Sequence, residues 1–79
     1  MDKKLQGLLA DVFGVRESEI TPETAKGDVE SWDSLKQMDL VMSLERAYDL
    51  TLDIQDIVAM TSVAAIAQVL RDKGVRLED

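Results

Sequence analysis

The chain contains neither cysteine nor histidine in its 79 residues. A domain of this length buries only about 60–65% of the surface that its unfolded chain exposes, and small domains are commonly stapled by disulfides or a metal. Here no disulfide and no thiolate site can form, and the commonest metal ligand is missing. The core must therefore be built from packed aliphatic side chains. The composition suits that demand: 46% of residues are hydrophobic, nearly all Leu, Val, Ile, Met and Ala. The same deficit restricts chemistry. A serine nucleophile needs a base beside it, only carboxylates could serve, and so small a domain forms little of a pocket. The chain is expected not to be an enzyme.

Where hydrophobic periodicity is sustained, it is helical. Leu5, Leu8, Leu9, Val12 and Phe13 fall at i, i+3, i+4, i+7 and i+8, an amphipathic helix ended by Gly14 and with Asp2 at its positive end. Residues 15–33 show no sustained period and carry Pro22 and Gly27, which predicts a long connection. Within it, Thr21-Pro22-Glu23 reads as one helical turn with Thr21 as N-cap. A connection this long is tolerable in a small domain only if Val15, Ile20, Val29 and Trp32 pin it to the core. A second long helix is expected from Asp33 or Ser34 to about Asp49, with Asp33 as N-cap. Leu50-Thr51-Leu52 reads as an extended turn. A short helix follows from about Asp53 to Ala59, with Ile54, Ile57 and Val58 apolar. A last helix is capped by Thr61 or Ser62, carries Val63, Ile66, Ala67 and Leu70 as its core stripe, and ends at Gly74. The expected fold is all-α: a small four-helix bundle of three longer helices and one short one, with a long first loop. Residues 1–79 form a single domain, with the tail 75–79 expected to fray.

The second long helix has two apolar stripes. At about 100° per residue, Leu40, Val41, Leu44 and Tyr48 share one face, and Leu35, Met38 and Met42 lie nearly opposite. One stripe is enough to bury a helix in a small bundle. The other shares its side with Asp39, Glu45 and Asp49. It either packs beneath the following short helix or meets a partner, and the residues alone leave both open.

Net charge is −7 and unevenly placed. Between Asp28 and Asp56 eight acids (Asp28, Glu30, Asp33, Asp39, Glu45, Asp49, Asp53, Asp56) stand against two bases (Lys36, Arg46), which puts −6 in that segment. Such a balance argues against nucleic acid and anionic membrane as partners. It is either a solvated face or a docking surface for basic partners. No apolar run is long enough to span a bilayer, and Met1-Asp2-Lys3-Lys4-Leu5 lacks the apolar core of a secretory signal. A cytoplasmic, monomeric protein without membrane insertion is expected. Alternating oxygens at Asp49, Thr51, Asp53 and Gln55 invite a calcium loop. Its sixth position is Ile54, where a Gly is needed, and its twelfth is Met60, where a Glu is needed. No metal site is expected.

Ser31-Trp32-Asp33-Ser34-Leu35 joins the loop to the second long helix and puts Ser34 at the first helical position. Its hydroxyl should be exposed, beside first-turn amides that favour an anion. Ser and Asp are common at helix starts because they cap, and on these residues alone capping is the better account.

The wider pattern changes that balance. Asp33-Ser34-Leu35, then Met38-Asp39-Leu40-Val41-Met42-Ser43-Leu44-Glu45, then Tyr48-Asp49-Leu50 resembles the signature of acyl carrier proteins. The likeness runs from about Leu5 to Leu70 and includes the long loop and the Thr61-Ser62-Val63 start of the last helix. The resemblance implies that Ser34 carries a covalent 4′-phosphopantetheine arm from coenzyme A, with Asp33 supporting its attachment. It implies a cargo held as a thioester, and so accounts for the missing cysteine. It implies a partner face of Leu35, Lys36, Met38, Asp39, Met42 and Glu45, extended by Asp53, Asp56 and Ile57. Its partners would be a phosphopantetheinyl transferase, an acyl- or aminoacyl-loading ligase, and downstream synthase enzymes with basic docking patches.

Two positions depart from the fatty-acid carriers. Lys36 stands where many have an acid, and Trp32 where a small residue is common. The glycine-rich approach with His before Ser of peptidyl carriers is missing. The expectation is a specialised carrier of acyl intermediates in fatty-acid, polyketide or related synthesis. The alternatives are a carrier of an aminoacyl or other activated acid such as D-alanine, and an unmodified acidic helical adaptor.

Overall fold

Four α-helices arise in a computed structural model that describes residues 1–78. They are α1 (Lys3–Phe13), α2 (Ser34–Tyr48), α3 (Ile54–Ala59) and α4 (Val63–Asp72). Two single-turn 3-10 helices, Glu17–Glu19 and Lys26–Asp28, sit in the α1–α2 connection. Among the described residues no strand forms beyond one isolated bridge between Ala25 and Ser62. The expected all-α, four-helix architecture is thus the observed one. Among the described residues no helix is long and apolar enough to cross a membrane.

Each helix starts on a side-chain cap. Asp2, Asp33, Asp53 and Ser62 accept the N–H of Leu5, Lys36, Asp56 and Ala65 respectively. Such caps satisfy donors that a helix start leaves open. Gly14 ends α1 in the left-handed region (φ 68°), which lets Val15 donate its N–H back to the Ala10 carbonyl. Asp49 takes the same conformation after α2 without being glycine (φ 52°).

The core is aliphatic with one aromatic pair. Leu5, Leu9 and Phe13 of α1 meet Leu40, Val41 and Leu44 of α2 and Val63, Ile66, Val69 and Leu70 of α4, joined by Leu52 and Met60. Tyr48, placed by periodicity on the core stripe, is only half-buried. The Lys4 ammonium lies 4.5 Å from its ring centroid and donates to the Ala47 carbonyl.

The long connection is fastened in the way its length requires. Ile20 and Trp32 are buried, and Val15 and Val29 pack against the core from its edge. Trp32 stacks on Phe13 with centroids 4.5 Å apart and planes at 28°. Ser31 Oγ donates to the Phe13 carbonyl at 2.7 Å. Gln6 Nε2 donates to the carbonyls of Glu17 and Ile20, at 2.8 and 3.0 Å. The loop also closes the start of α4, because Val63 N–H and Ala64 N–H donate to the carbonyls of Thr24 and Pro22. Thr21-Pro22-Glu23 is not the expected helical turn. It is a β-turn closed by Thr24 N–H onto the Thr21 carbonyl, and Thr24 Oγ1 accepts the Thr21 N–H that a helix start would have left open.

The tail corrects a second expectation. Val75 and Leu77 pack against the core, and the Glu78 N–H donates to the second carboxylate oxygen of Asp2 at 2.9 Å. Two apolar residues in alternation, with a carboxylate waiting at the other terminus, are enough to dock it over 75–78. Asp79 lies outside the described residues.

Asp2 thus holds both chain ends. The Glu78 N–H, and then that of Leu5, hold its carboxyl below the usual carboxylate range. A depressed folded pKa contributes stability that is present above the unfolded value, about 4, and lost as pH falls through the lower folded value. Asp2→Ala should therefore lower the urea midpoint at pH 7 and lose less stability than wild type between pH 7 and pH 3. Parallel acid profiles for the two proteins would contradict this role.

Candidate functional site

Ser34 opens α2, one residue after its cap. Why the helix begins there follows from Asp33. Its extended backbone (φ −109°, ψ −169°) ends the loop, its carbonyl accepts the Gln37 N–H, and its carboxylate accepts the Lys36 N–H at 2.9 Å. The cap leaves the N–H groups of Ser34 and Leu35 without acceptors among the described residues. The Ser34 side chain is exposed, and its hydroxyl makes no hydrogen bond among the described residues. An accessible hydroxyl beside two open amides is a suitable seat for a phosphodiester.

What keeps this helix start in place is a residue that periodicity passes over. Gln37 is buried, one turn after Ser34. Its Oε1 accepts the Trp32 indole N–H at 2.6 Å, and its Nε2 donates to the carbonyls of Ile57 and Met60 at 3.1 and 3.2 Å. The loop before Ser34, the first turn of α2 and the end of α3 are thus tied through one amide. A Gln on a core face carries no signal of its own in a sequence. Its partners lie five residues back and 20 and 23 residues on, at the end of α3 and just after it, so only the assembled chain reveals it.

The second stripe of α2 does not pack beneath α3. Leu35, Met38 and Met42 are 80%, 51% and 55% exposed. On α3, Ile54 and Val58 are 77% and 70% exposed, so this helix also turns apolar side chains outward. Single exposed apolar residues are ordinary; five on two neighbouring helices are the kind of surface that partners use.

The acids expected on the same face divide into two sets. Asp39 is exposed, its carboxylate 3.8 Å from the Lys36 ammonium. Asp53 is exposed but spends one oxygen on capping α3. Glu45 is half-buried and accepts the Leu52 N–H at 2.9 Å, across the α2–α3 connection. Asp56 accepts the Asp53 N–H and pairs with Lys73 at 2.8 Å. That Lys73 bond, and the Asp53 backbone bond after it, hold the Asp56 carboxyl below its ordinary range, while Asp56 raises the Lys73 ammonium above its own. Ile57, expected on the partner face, is half-buried and packs against the core; Ile54 and Val58 take the outward positions. Alternation around a six-residue helix settles poorly which side turns in. Among the described residues no group of three or more acids could hold a metal ion.

Three comparisons bear on this arrangement. Residues 3–70 match the family described as Phosphopantetheine attachment site. The chain is 39% identical over 62 residues to the acyl carrier protein of Rubrobacter xylanophilus, covering 77% of this chain and 75% of that one. The fold superposes on the solution structure of a holo acyl carrier protein from Nitrosomonas europaea with a TM-score of 0.75, at 21% identity, over 89% of this chain and 90% of the other.

The site makes a contrast in stability. Asp33→Ala should cost about 1 kcal/mol by removing the cap, with Asp33→Asn recovering most of it. Ser34→Ala, which breaks no contact, should stay within about 0.5 kcal/mol of wild type. Urea unfolding of the three variants measures both, and an equally damaging Ser34→Ala would mean that the hydroxyl is structural.

Proposed function

The chain belongs to the acyl carrier protein family, non-catalytic domains that bear a covalent phosphopantetheine, and from that premise we propose that Ser34 is the attachment residue and that the cargo is an acyl intermediate. The observation that carries this reading is the unengaged Ser34 hydroxyl at the head of α2, beside the open amides of Ser34 and Leu35. The arm supplies a terminal thiol that holds cargo as a thioester, chemistry for which the chain has no sulfur nucleophile of its own. The protein's own residues have simpler tasks. Asp33 holds the first turn in register, so that Ser34 is presented outward. No side chain of the described residues hydrogen-bonds to the hydroxyl, which leaves it open to a base brought by the enzyme that modifies it. Leu35, Met38 and Met42, with Asp39 and Lys36, form the surface beside the arm on which successive enzymes would dock.

The partners of this reading are a phosphopantetheinyl transferase, a loading ligase and synthase enzymes of fatty-acid, polyketide or related specialised synthesis. A second cargo class, an aminoacyl group or another activated acid such as D-alanine, is favoured by one observation. Lys36 puts a cation, 3.8 Å from Asp39, on the helix that would dock the fatty-acid enzymes.

Incubation with coenzyme A and a broad-specificity phosphopantetheinyl transferase, followed by intact mass measurement, should give one adduct on the wild type and none on Ser34→Ala. An adduct that persists on Ser34→Ala moves the site; no adduct on the folded wild type removes the reading. Replacing Lys36 by Glu restores an acid next to the arm and should increase turnover of the loaded protein by fatty-acid synthase enzymes, mainly through a lower KM, since a rim charge acts on encounter. An unchanged KM would show that Lys36 does not tune partner choice.

A further inference from the structure

The bond set of Gln37 has a consequence beyond holding the fold. We infer that Gln37 is a positioning residue that couples α3 to the loop carrying Ser34, so that a partner pressing on the outward side of α3 alters how Ser34 is presented. This rests on the reading of Ser34 as the attachment residue.

Three observations carry it. First, the amide has only one productive orientation. Its oxygen faces an indole N–H and its nitrogen faces two carbonyls, so both nitrogen hydrogens are used and a flip would set donor against donor and acceptor against acceptor. A displacement of the two carbonyls must either break bonds in a buried place or drag the amide, and Trp32 with it. Second, α3 is the shortest and least buried of the four helices. It spans six residues and none of them is fully buried. Apart from its chain connections and its packing beside α4 it is held by the burial of part of Ile57, by the Gln37 bonds to the Ile57 carbonyl and to that of Met60 just after it, and by the partly covered Asp56–Lys73 pair. Elements with few buried contacts open at low cost. Third, the far end of the link is next to the site. Trp32 lies two residues before Ser34, stacked on Phe13, and Ile54 and Val58 offer a partner an apolar hold on the near end.

The sole tryptophan sits in the link, so its indole N–H signal reports on it directly. The unmodified 79-residue chain is used, with Ile57→Ala as the disturbance of α3. In wild-type background Ile57→Ala should shift the Trp32 indole cross-peak in a proton–nitrogen correlation spectrum. In Gln37→Met background, where the side chain keeps its length and loses its hydrogen bonds, the same substitution should leave that peak in place. An equal shift in both backgrounds overturns the coupling. Because coupling is reciprocal, Trp32→Phe should accelerate amide exchange across residues 54–60 roughly tenfold, the effect of weakening a buried bond. This arm stands even where Gln37→Met fails to fold, and unchanged exchange there also overturns the inference. Both readouts are independent of modification. An adduct on Ser34 with no coupling removes only this inference, and coupling with no adduct removes only the reading of Ser34.

Discussion

Trp32 is held from two sides, and much of the molecule hangs on that grip. Its ring stacks on Phe13 at the end of α1, and its N–H is taken by Gln37 in the first turn of α2. With buried Ile20 and the loop's bonds to α1 and α4, these contacts offset the chain entropy lost when a connection of some twenty residues is ordered. Gln37 then passes the constraint on to the end of α3. Each of these buried polar groups would cost about 1–3 kcal/mol if left unpaired. The network therefore favours one arrangement in which the loop, the start of α2 and the end of α3 are tied to one another.

The acidity of the chain has a structural use that its net charge conceals. Asp2, Glu19, Asp28, Asp33, Glu45, Asp53 and Asp56 all accept backbone N–H groups. Short helices and turns leave many donors open relative to their length, and carboxylates at their starts satisfy those donors and suit the helix dipole. Much of the charge between Asp28 and Asp56 is therefore neither idle solvation nor free for docking. Asp39 remains exposed beside the apolar ridge of α2, with Lys36 next to it. The surface that flanks Ser34 is mixed in sign and apolar at its crest, which narrows the partners it can fit more than a uniformly acidic face would.

Local order determined what could be read in advance. Helical period, Asp and Ser caps and the glycine after α1 act within one or two turns, so α1, α2, α3 and α4 lie close to where the sequence places them. The position of Ser34 at the head of α2 follows from Asp33 by the same local rule, and the family follows from a motif centred on α2 within a likeness that runs from about Leu5 to Leu70. The misplaced features depend on distant partners. The Thr21–Thr24 turn is shaped by Thr24 bonding within the loop and by the start of α4. The tail docks because Asp2 lies at the opposite chain end.

The sequence by itself determined an aliphatic helical bundle, a capped helix beginning at Ser34 and a carrier's motif around it, because each depends on spacing along one segment. Only the tertiary structure decided which acids remain available, which apolar stripe faces water, and that a single buried glutamine ties the Ser34 loop to α3. Those outcomes are set by which groups meet across the fold: Asp56 with Lys73, Glu45 with Leu52, Trp32 with Gln37, and Gln37 with the end of α3. A carboxylate or an amide looks the same in a sequence whether it faces solvent or a backbone donor, and burial makes the difference in energy.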